Sequence, residues 1–263
     1  MTGVEQALHR ERVIVAAGLA AIVLLAWLYI WRGAGMGMSA LDMTSASLFP
    51  HRQMEMMGEM DSPWHVLVAM WGVMMVAMMT PSAAPLTLLY GRVLRHHAAA
   101  DAKAYVPSLF VIAGYLSVWL AFSFGAAALQ GALLDAGRLS GMMLWSKSAA
   151  LSATVLAAAG VYQLSPLKQA CLAQCRSPAQ FLTRYWRPGR AGAFLLGVRH
   201  GAFCVGCCWL LMALLFVGGV MNLLWIAALT AVVLVEKLAP AGDRVGKVLG
   251  GVLIAWAAAT LLV

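Results

Sequence analysis

The stretch HGAFCVGCCW, His200 to Trp209, places one imidazole and three thiols within ten residues. On a helix of 3.6 residues per turn, His200, Cys204, Cys207 and Cys208 stand at i, i+4, i+7 and i+8. The first three share a narrow face, Cys208 lies at its edge, and Met212 follows one turn further on. Imidazole, thiolate and thioether are soft ligands, a set that suits Cu(I), with Zn(II) as the other metal it fits, rather than magnesium or calcium. Cysteine also packs as a small apolar residue, so a filling role stands beside the metal or redox one. A second pair, Cys171 and Cys175 in CLAQC, is again i, i+4 if that segment is helical.

Methionine forms the other concentration of soft donors. Seventeen are present, most of them between Met36 and Met79. The segment FPHRQMEMMGEMDSPWH offers His51, Met54, Met57 and His65 among further methionines and acidic residues. Thioethers remain ligands where thiols oxidise, and they select Cu(I). An exposed Met/His/acid cluster has little packing purpose. In the apolar run that follows, Met70, Met74 and Met78 share one helical face and Met75 and Met79 another. Methionine is a flexible filler of irregular helix contacts, so packing is the first reading there.

These residues must be positioned by membrane helices. The chain is 63% hydrophobic and 11% charged, whereas a soluble domain is about half apolar and about a quarter charged. Its apolar residues come in runs near the roughly 20 needed to cross a bilayer: Val13–Trp31, Val66–Tyr90, Val106–Leu129, Gly141–Leu164, Ala193–Val217, Met221–Leu238 and Val245–Val263. The expected architecture is an all-α, polytopic transmembrane bundle of about seven spans. Residues 1–31 read as an N-terminal signal-anchor helix, because the apolar stretch exceeds a signal-peptide core and no A-x-A site follows it. Residues 32–63 form a Met/His-rich outer loop. Residues 64–263 form a six-helix membrane bundle, with a basic, Cys-containing inner loop at 165–192 whose Ser-Pro and Arg-Pro-Gly punctuation breaks it into short surface helices. The least certain boundary is the Gly218-Gly219 turn.

The net charge of +8 is a topology signal. Thirteen Lys and Arg fall in one set of loops and four in the other, which puts the N-terminus inside and, with seven spans, the C-terminus outside a bacterial cytoplasmic (inner) membrane. The lipid bilayer is the expected partner of the apolar surface, and nothing calls for nucleic acid. Pro81 and Pro85 in MMTPSAAPL predict a kink or break in the second span. Glu236 is the acidic group near enough in the topology to pair with Arg199. GVRHG (Gly197 to Gly201) and GKVLG (Gly246 to Gly250) are small-x-x-x-small patterns that let helices approach closely. No G-x-S-x-G, phosphate loop, H-E-x-x-H or carboxylate pair supplies a catalytic constellation, so a non-enzymatic role is expected.

PLKQACLAQCRSP, HGAFCVGCCWLLM and MMVAMMTPSAAP, with the Glu236-Lys237 pair, resemble a bacterial family of uncharacterised, predicted metal-binding integral membrane proteins. The resemblance runs from about Trp64 to Lys237. It implies metal binding at the matching positions Met75, Met78 and Met79, then Cys171 and Cys175, then His200, Cys204, Cys207 and Cys208, with Pro81 and Pro85 between. The expected function is soft-metal handling, copper first, with Cu(I) relayed from outer Met/His groups to the Cys/His site of the fifth span. A periplasmic metal chaperone or a larger membrane complex would be the protein partner. Two alternatives stay open: a non-catalytic accessory subunit of a copper-containing membrane complex, and a thiol–disulfide oxidoreductase using Cys204/Cys207 and Cys171/Cys175.

Overall fold

A computed structural model of the chain describes residues 3–49, 63–97, 105–141 and 144–263, and side chains for 12–49, 63–95, 107–141 and 144–263. Every regular element among them is a helix: α1 (Gly3–Trp31), α2 (Trp64–His97), α3 (Tyr105–Asp135), α4 (Ala149–Leu164), α5 (Pro166–Arg176), α6 (Pro178–Tyr185), α7 (Gly189–Ala213), α8 (Leu215–Gly218), α9 (Leu223–Leu238) and α10 (Gly242–Leu262). Among the described residues, five stretches are long and apolar enough to cross a membrane: Arg12–Trp31, Trp64–Arg95, Pro107–Asp135, Gly189–Gly218 and Gly242–Leu262. The pair α4 and α5, bent by 64°, counts as a sixth when taken together. Helices α4 and α9 have 16 residues each, about 24 Å at 1.5 Å per residue, against a hydrocarbon core of roughly 30 Å. Length alone therefore yields five or six spans, where the apolar runs predict seven.

The fourth run departs from its predicted start. Residues 141–148 are not helical among those described; the chain from Leu139 to Ser146 folds back on itself in an isolated bridge. Ser146 N–H donates to Phe216 O (2.8 Å) and Lys147 N–H to Arg138 O (2.9 Å), pinning this loop against α8 and the end of α3. Helix α4 begins only after Ser148, whose hydroxyl accepts from Leu151 N–H. A serine cap, which satisfies an orphan N–H, sets the helix start here more sharply than hydropathy does.

Helix α2 shows no break at Pro81 and Pro85: both lie inside one 34-residue helix. Polar side chains bond into the carbonyls around the prolines. Ser82 Oγ and Tyr115 OH both donate to Met79 O at 2.9 Å, and Thr87 Oγ1 donates to Ala83 O at 3.0 Å.

Burial sorts the helices into centre and periphery. The apolar windows of α2 and of α7–α8 are 61% buried, those of α1 and α10 only 17% and 28%. Leu24, Leu25, Leu109, Val248 and Val252 face outward, where lipid tails are as apolar as leucine itself. The interior is rich in methionine, with Met70, Met74, Met75, Met78, Met79, Met212 and Met221 all enclosed.

Glycine sets the two closest helix crossings. A Cβ on Gly197 would lie 2.0 Å from Val111 O, and one on Gly114 would lie 2.1 Å from Phe194 O, so α3 and α7 meet backbone to backbone. Helices α4 and α10 do the same at Gly160 and Gly250. At the opposite end from α5 and α6, the α8–α9 hairpin turns through Gly219 at φ 101°. Asn222 caps α9 there and donates to Ser45 O (2.7 Å), while Leu223 N–H donates to Thr44 Oγ1 (3.1 Å). The segment after α1 is thereby tied across this end of the bundle.

Candidate functional site

Helices α2, α3, α7 and α9 converge on the sulfur of Cys204, which has no exposure to the surroundings. Lys237 Nζ donates to Cys204 Sγ at 2.7 Å, and Tyr115 OH lies 3.0 Å from the same sulfur. Ser82 Oγ stands at 4.0 Å and accepts from Lys237 Nζ at 3.3 Å. Each element places its residue for a local reason. On α2, Ser82 and the Met79 carbonyl both bond with the Tyr115 hydroxyl of α3. The glycine crossing of α3 and α7 brings Tyr115 close enough to touch Cys204.

The other thiols gather round this centre. Cys207 Sγ and Cys208 Sγ donate back to Cys204 O at 3.1 and 2.8 Å. The Cys175 thiol of α5 is buried in the same core cluster as these three. Cys171 packs one residue before Cys207, its sulfur 3.0 Å from where a Cβ of Gly206 would stand. Tyr162 OH donates to Gly206 O and so anchors α4 to the same turn of α7. All five cysteines are free. The two cysteine-bearing segments, with Cys175 and Cys204 29 residues apart in sequence, therefore pack together in one core cluster.

His200 is buried between the rings of Tyr115 and Phe181, with centroids at 5.6 and 5.3 Å, and its Nδ1 has no hydrogen-bond partner. One turn from Cys204, it carries a nitrogen lone pair or proton with nothing yet attached. Among the described residues, no three His, Cys, Asp or Glu side chains surround a common point where one ion would sit. The reason is geometric, for Cys207 and Cys208 turn their thiols toward a backbone carbonyl. What the cluster offers is thiols, the soft donor type that selects Cu(I) and Zn(II).

The charges lie differently from the sequence expectation. Glu236 does not pair with Arg199: its carboxylate accepts from Lys168 Nζ at 2.6 Å and from Gln163 Nε2 at 2.7 Å. Arg199 sits over the Tyr185 ring instead, 5.0 Å from the centroid. The Lys168–Glu236 pair is enclosed, at 0% and 2% side-chain exposure. It consumes the local carboxylate, and among the described residues the second buried ammonium, Lys237, bonds to the Cys204 sulfur and the Ser82 hydroxyl.

Of the remaining predicted ligands, Met75, Met78 and Met79 are buried on α2, and His65 is exposed in its first turn. His51, Met54 and Met57 lie outside the described residues. Sequence reasoning missed Ser82 and Tyr115, counted Lys168 and Lys237 as topology charges, and quoted Lys237 with Glu236 without giving it a role. For Lys237 a signal existed, an ionisable residue inside the run LTAVVLVEKLAP, since such groups in apolar helices are costly and usually functional.

No curated protein and no solved structure matches the chain significantly. The copper chaperone family PpoB2 matches residues 68–260, a stretch that contains α2 to α10 almost entire and every residue of the Cys204 cluster. On that match over most of its length, the chain belongs to the PpoB2 copper chaperone family.

Proposed function

We propose that the chain is an integral membrane protein of the bacterial cytoplasmic membrane that takes Cu(I) as its cargo and holds it on the thiols around Cys204. The observation that carries this reading is the buried contact of Cys204 with Lys237 Nζ, beside three further thiols on α5 and α7. Copper entering such a site binds thiolates, and each thiol that becomes a ligand gives up its proton. Two thiolates around Cu(I) carry a net single negative charge. In an apolar interior that charge is costly unless a cation is held against it. The Lys237 ammonium is in place to balance it, and Tyr115 and Ser82 supply hydroxyls that bond the same sulfur. His200, with its free Nδ1, is the nitrogen donor nearest along the helix.

The distribution of soft donors supports a direction. His51, Met54, Met57 and His65 would capture Cu(I) on the outer side, and Met75, Met78 and Met79 lie along α2 between His65 and the level of Ser82. With the basic loops inside, the N-terminus faces the cytoplasm, and α4 and α9 complete seven spans with local thinning of the bilayer. A periplasmic metal chaperone or a larger copper-containing membrane complex is the kind of partner that would exchange the cargo.

Metal analysis by mass spectrometry of anaerobically purified protein tests the assignment. About one copper per chain is expected in the natural protein, with copper lost from the variant Cys204→Ser/Cys207→Ser/Cys208→Ser. Equal copper in both would refute the thiol site.

A further inference from the structure

One side chain braces the elbow between α4 and α5. The two helices meet at a 64° bend, with Ser165 between them. Gln163, the penultimate residue of α4, donates to one oxygen of the Glu236 carboxylate at 2.7 Å, and Lys168 of α5 donates to the other at 2.6 Å. From α9, Glu236 therefore holds both arms of the bend, and all three side chains are enclosed, at 2% exposure or less. The far end of α5 is tied to the same corner. Arg176 donates to Ala239 O and Pro240 O, both at 3.0 Å, and pairs with Asp243. Cys171 and Cys175 lie between these two ties, and Cys175, 9% exposed, shares the inner face of α5 with Lys168 and Leu172.

A buried ion pair is a poor source of stability, because the cost of desolvation offsets most of the attraction and apolar residues of similar volume often serve as well. What such a pair supplies best is registry, since either charge is strongly destabilising once its partner moves away. Helix α5 needs registry. A helix of 11 residues is marginal by itself, so its place depends on what holds it. Cys171 Sγ lies 3.0 Å from where a Cβ on Gly206 would stand, so α5 seats this thiol on a gap in α7 that only glycine leaves open. A tilt about the elbow would lift both α5 thiols from α7. Successive residues on α9 turn by about 100°. Glu236 faces α4 and α5, while Lys237 beside it bonds Ser82 of α2 and Cys204 of α7. One dipeptide thus contacts both thiol-bearing helices.

We propose that Glu236 is a positioning residue of the thiol site: through Gln163 and Lys168 it sets the α4–α5 elbow, and with it the place of Cys171 and Cys175 beside α7. The proposal rests on the copper reading above for its effect on metal binding, and on the elbow alone for its effect on the thiols. Lys168→Met/Glu236→Gln tests it. Both replacements are uncharged, and the new amide can still accept from Gln163, so α4 keeps its bond while α5 loses its own.

The metal-free natural chain and the variant, purified in detergent, are treated with a small maleimide, and peptide mass spectrometry locates the label. Cys175 is expected to react about tenfold faster or more in the variant, at a thermal midpoint close to the natural one. Cu(I) affinity, read by competition with a chelator, is expected to fall by about tenfold or more, as it does when an outer partner of a metal site is lost. Natural labelling of Cys175 overturns the proposal. So does natural copper affinity in the folded variant, since the α5 thiols would then not serve the site. A variant that does not fold overturns it as well, because the pair would be a requirement of the fold rather than of the site. The copper reading fails separately, if Cys204→Ser/Cys207→Ser/Cys208→Ser keeps its full copper, and the labelling then still decides whether Glu236 positions α5.

Discussion

The closeness of α3 and α7 controls the geometry at Cys204, and a single methyl group tests this. In Gly197→Ala the added Cβ would stand 2.0 Å from Val111 O and 2.9 Å from Tyr115 N. Ordinary contact begins near 3.4 Å, so the helices must part by about 1.4 Å. The obstructing atoms are helical backbone and cannot swing aside as a side-chain tip would. Tyr115 lies on the same stretch of α3, and its hydroxyl is 3.0 Å from Cys204 Sγ. A parting of that size takes the pair beyond hydrogen-bonding range. Forced overpacking costs about 1–3 kcal/mol, and the lost hydrogen bond about 1 kcal/mol more. Thermal unfolding in detergent should therefore show a destabilisation of roughly 2–4 kcal/mol, accompanied by weaker Cu(I) binding. Gly114→Ala, with its Cβ 2.1 Å from Phe194 O, should behave alike, and Gly201→Ala, whose nearest atom is at 3.0 Å, should be milder. Gly251→Ala meets nothing within 4 Å and should be neutral or slightly stabilising, by up to about 1 kcal/mol from helix propensity. If Gly197→Ala melted with Gly251→Ala and bound copper as tightly as the natural chain, the reasoning would be wrong.

Two further substitutions separate the buried charges. Glu236→Ala leaves Lys168 as an uncompensated enclosed ammonium and should destabilise by about 3–5 kcal/mol. Unfolding in detergent reads this loss, and adding Lys168→Met should recover most of it. Lys237→Met preserves the length of the side chain but removes the counter-charge of a copper–thiolate pair. Competition with a Cu(I) chelator should show an affinity lowered by about tenfold or more, at unchanged stoichiometry, whereas equal affinity would dismiss the counter-charge role.

How far the sequence foretold this arrangement depends on the range of the interaction concerned. The stripe His200, Cys204, Cys207, Cys208 was legible because helical periodicity is a property of one segment, and α7 buries all four. The glycine patterns around Gly197 and Gly250 were legible for the same reason, since a close approach needs small residues at a fixed spacing. Hydropathy blurred what lay at the ends of runs. Leu144 and Trp145 are as apolar as helix residues, yet they belong to a loop held against α8. The serines that cap and stop were present in the sequence but were outweighed by their neighbours.

The charges show where reading one segment at a time fails. Lys168 and Lys237 occur where basic residues mark the cytoplasmic side, and a topology count absorbs them without remainder. Only the packing of α5 and α9 against α7 turns both inward, one onto Glu236 and the other onto Cys204. Ser82 and Tyr115 carried no signal at all in their apolar runs, because a hydroxyl among aliphatic residues costs little until its partner is known. The soft donors thus announced what could be bound, while the hard groups that surround Cys204 emerged only when four helices were brought together. Those hard groups make the site specific. A thiol pair by itself would bind any soft ion, but a thiol pair with one enclosed ammonium is balanced for a monovalent cation held by two thiolates. A divalent ion on the same two thiolates would leave the ammonium's positive charge uncompensated in an apolar interior. On the proposed reading of a two-thiolate site, the excess of one lysine over the single carboxylate it faces in this cluster would favour Cu(I) over Zn(II) on electrostatic grounds.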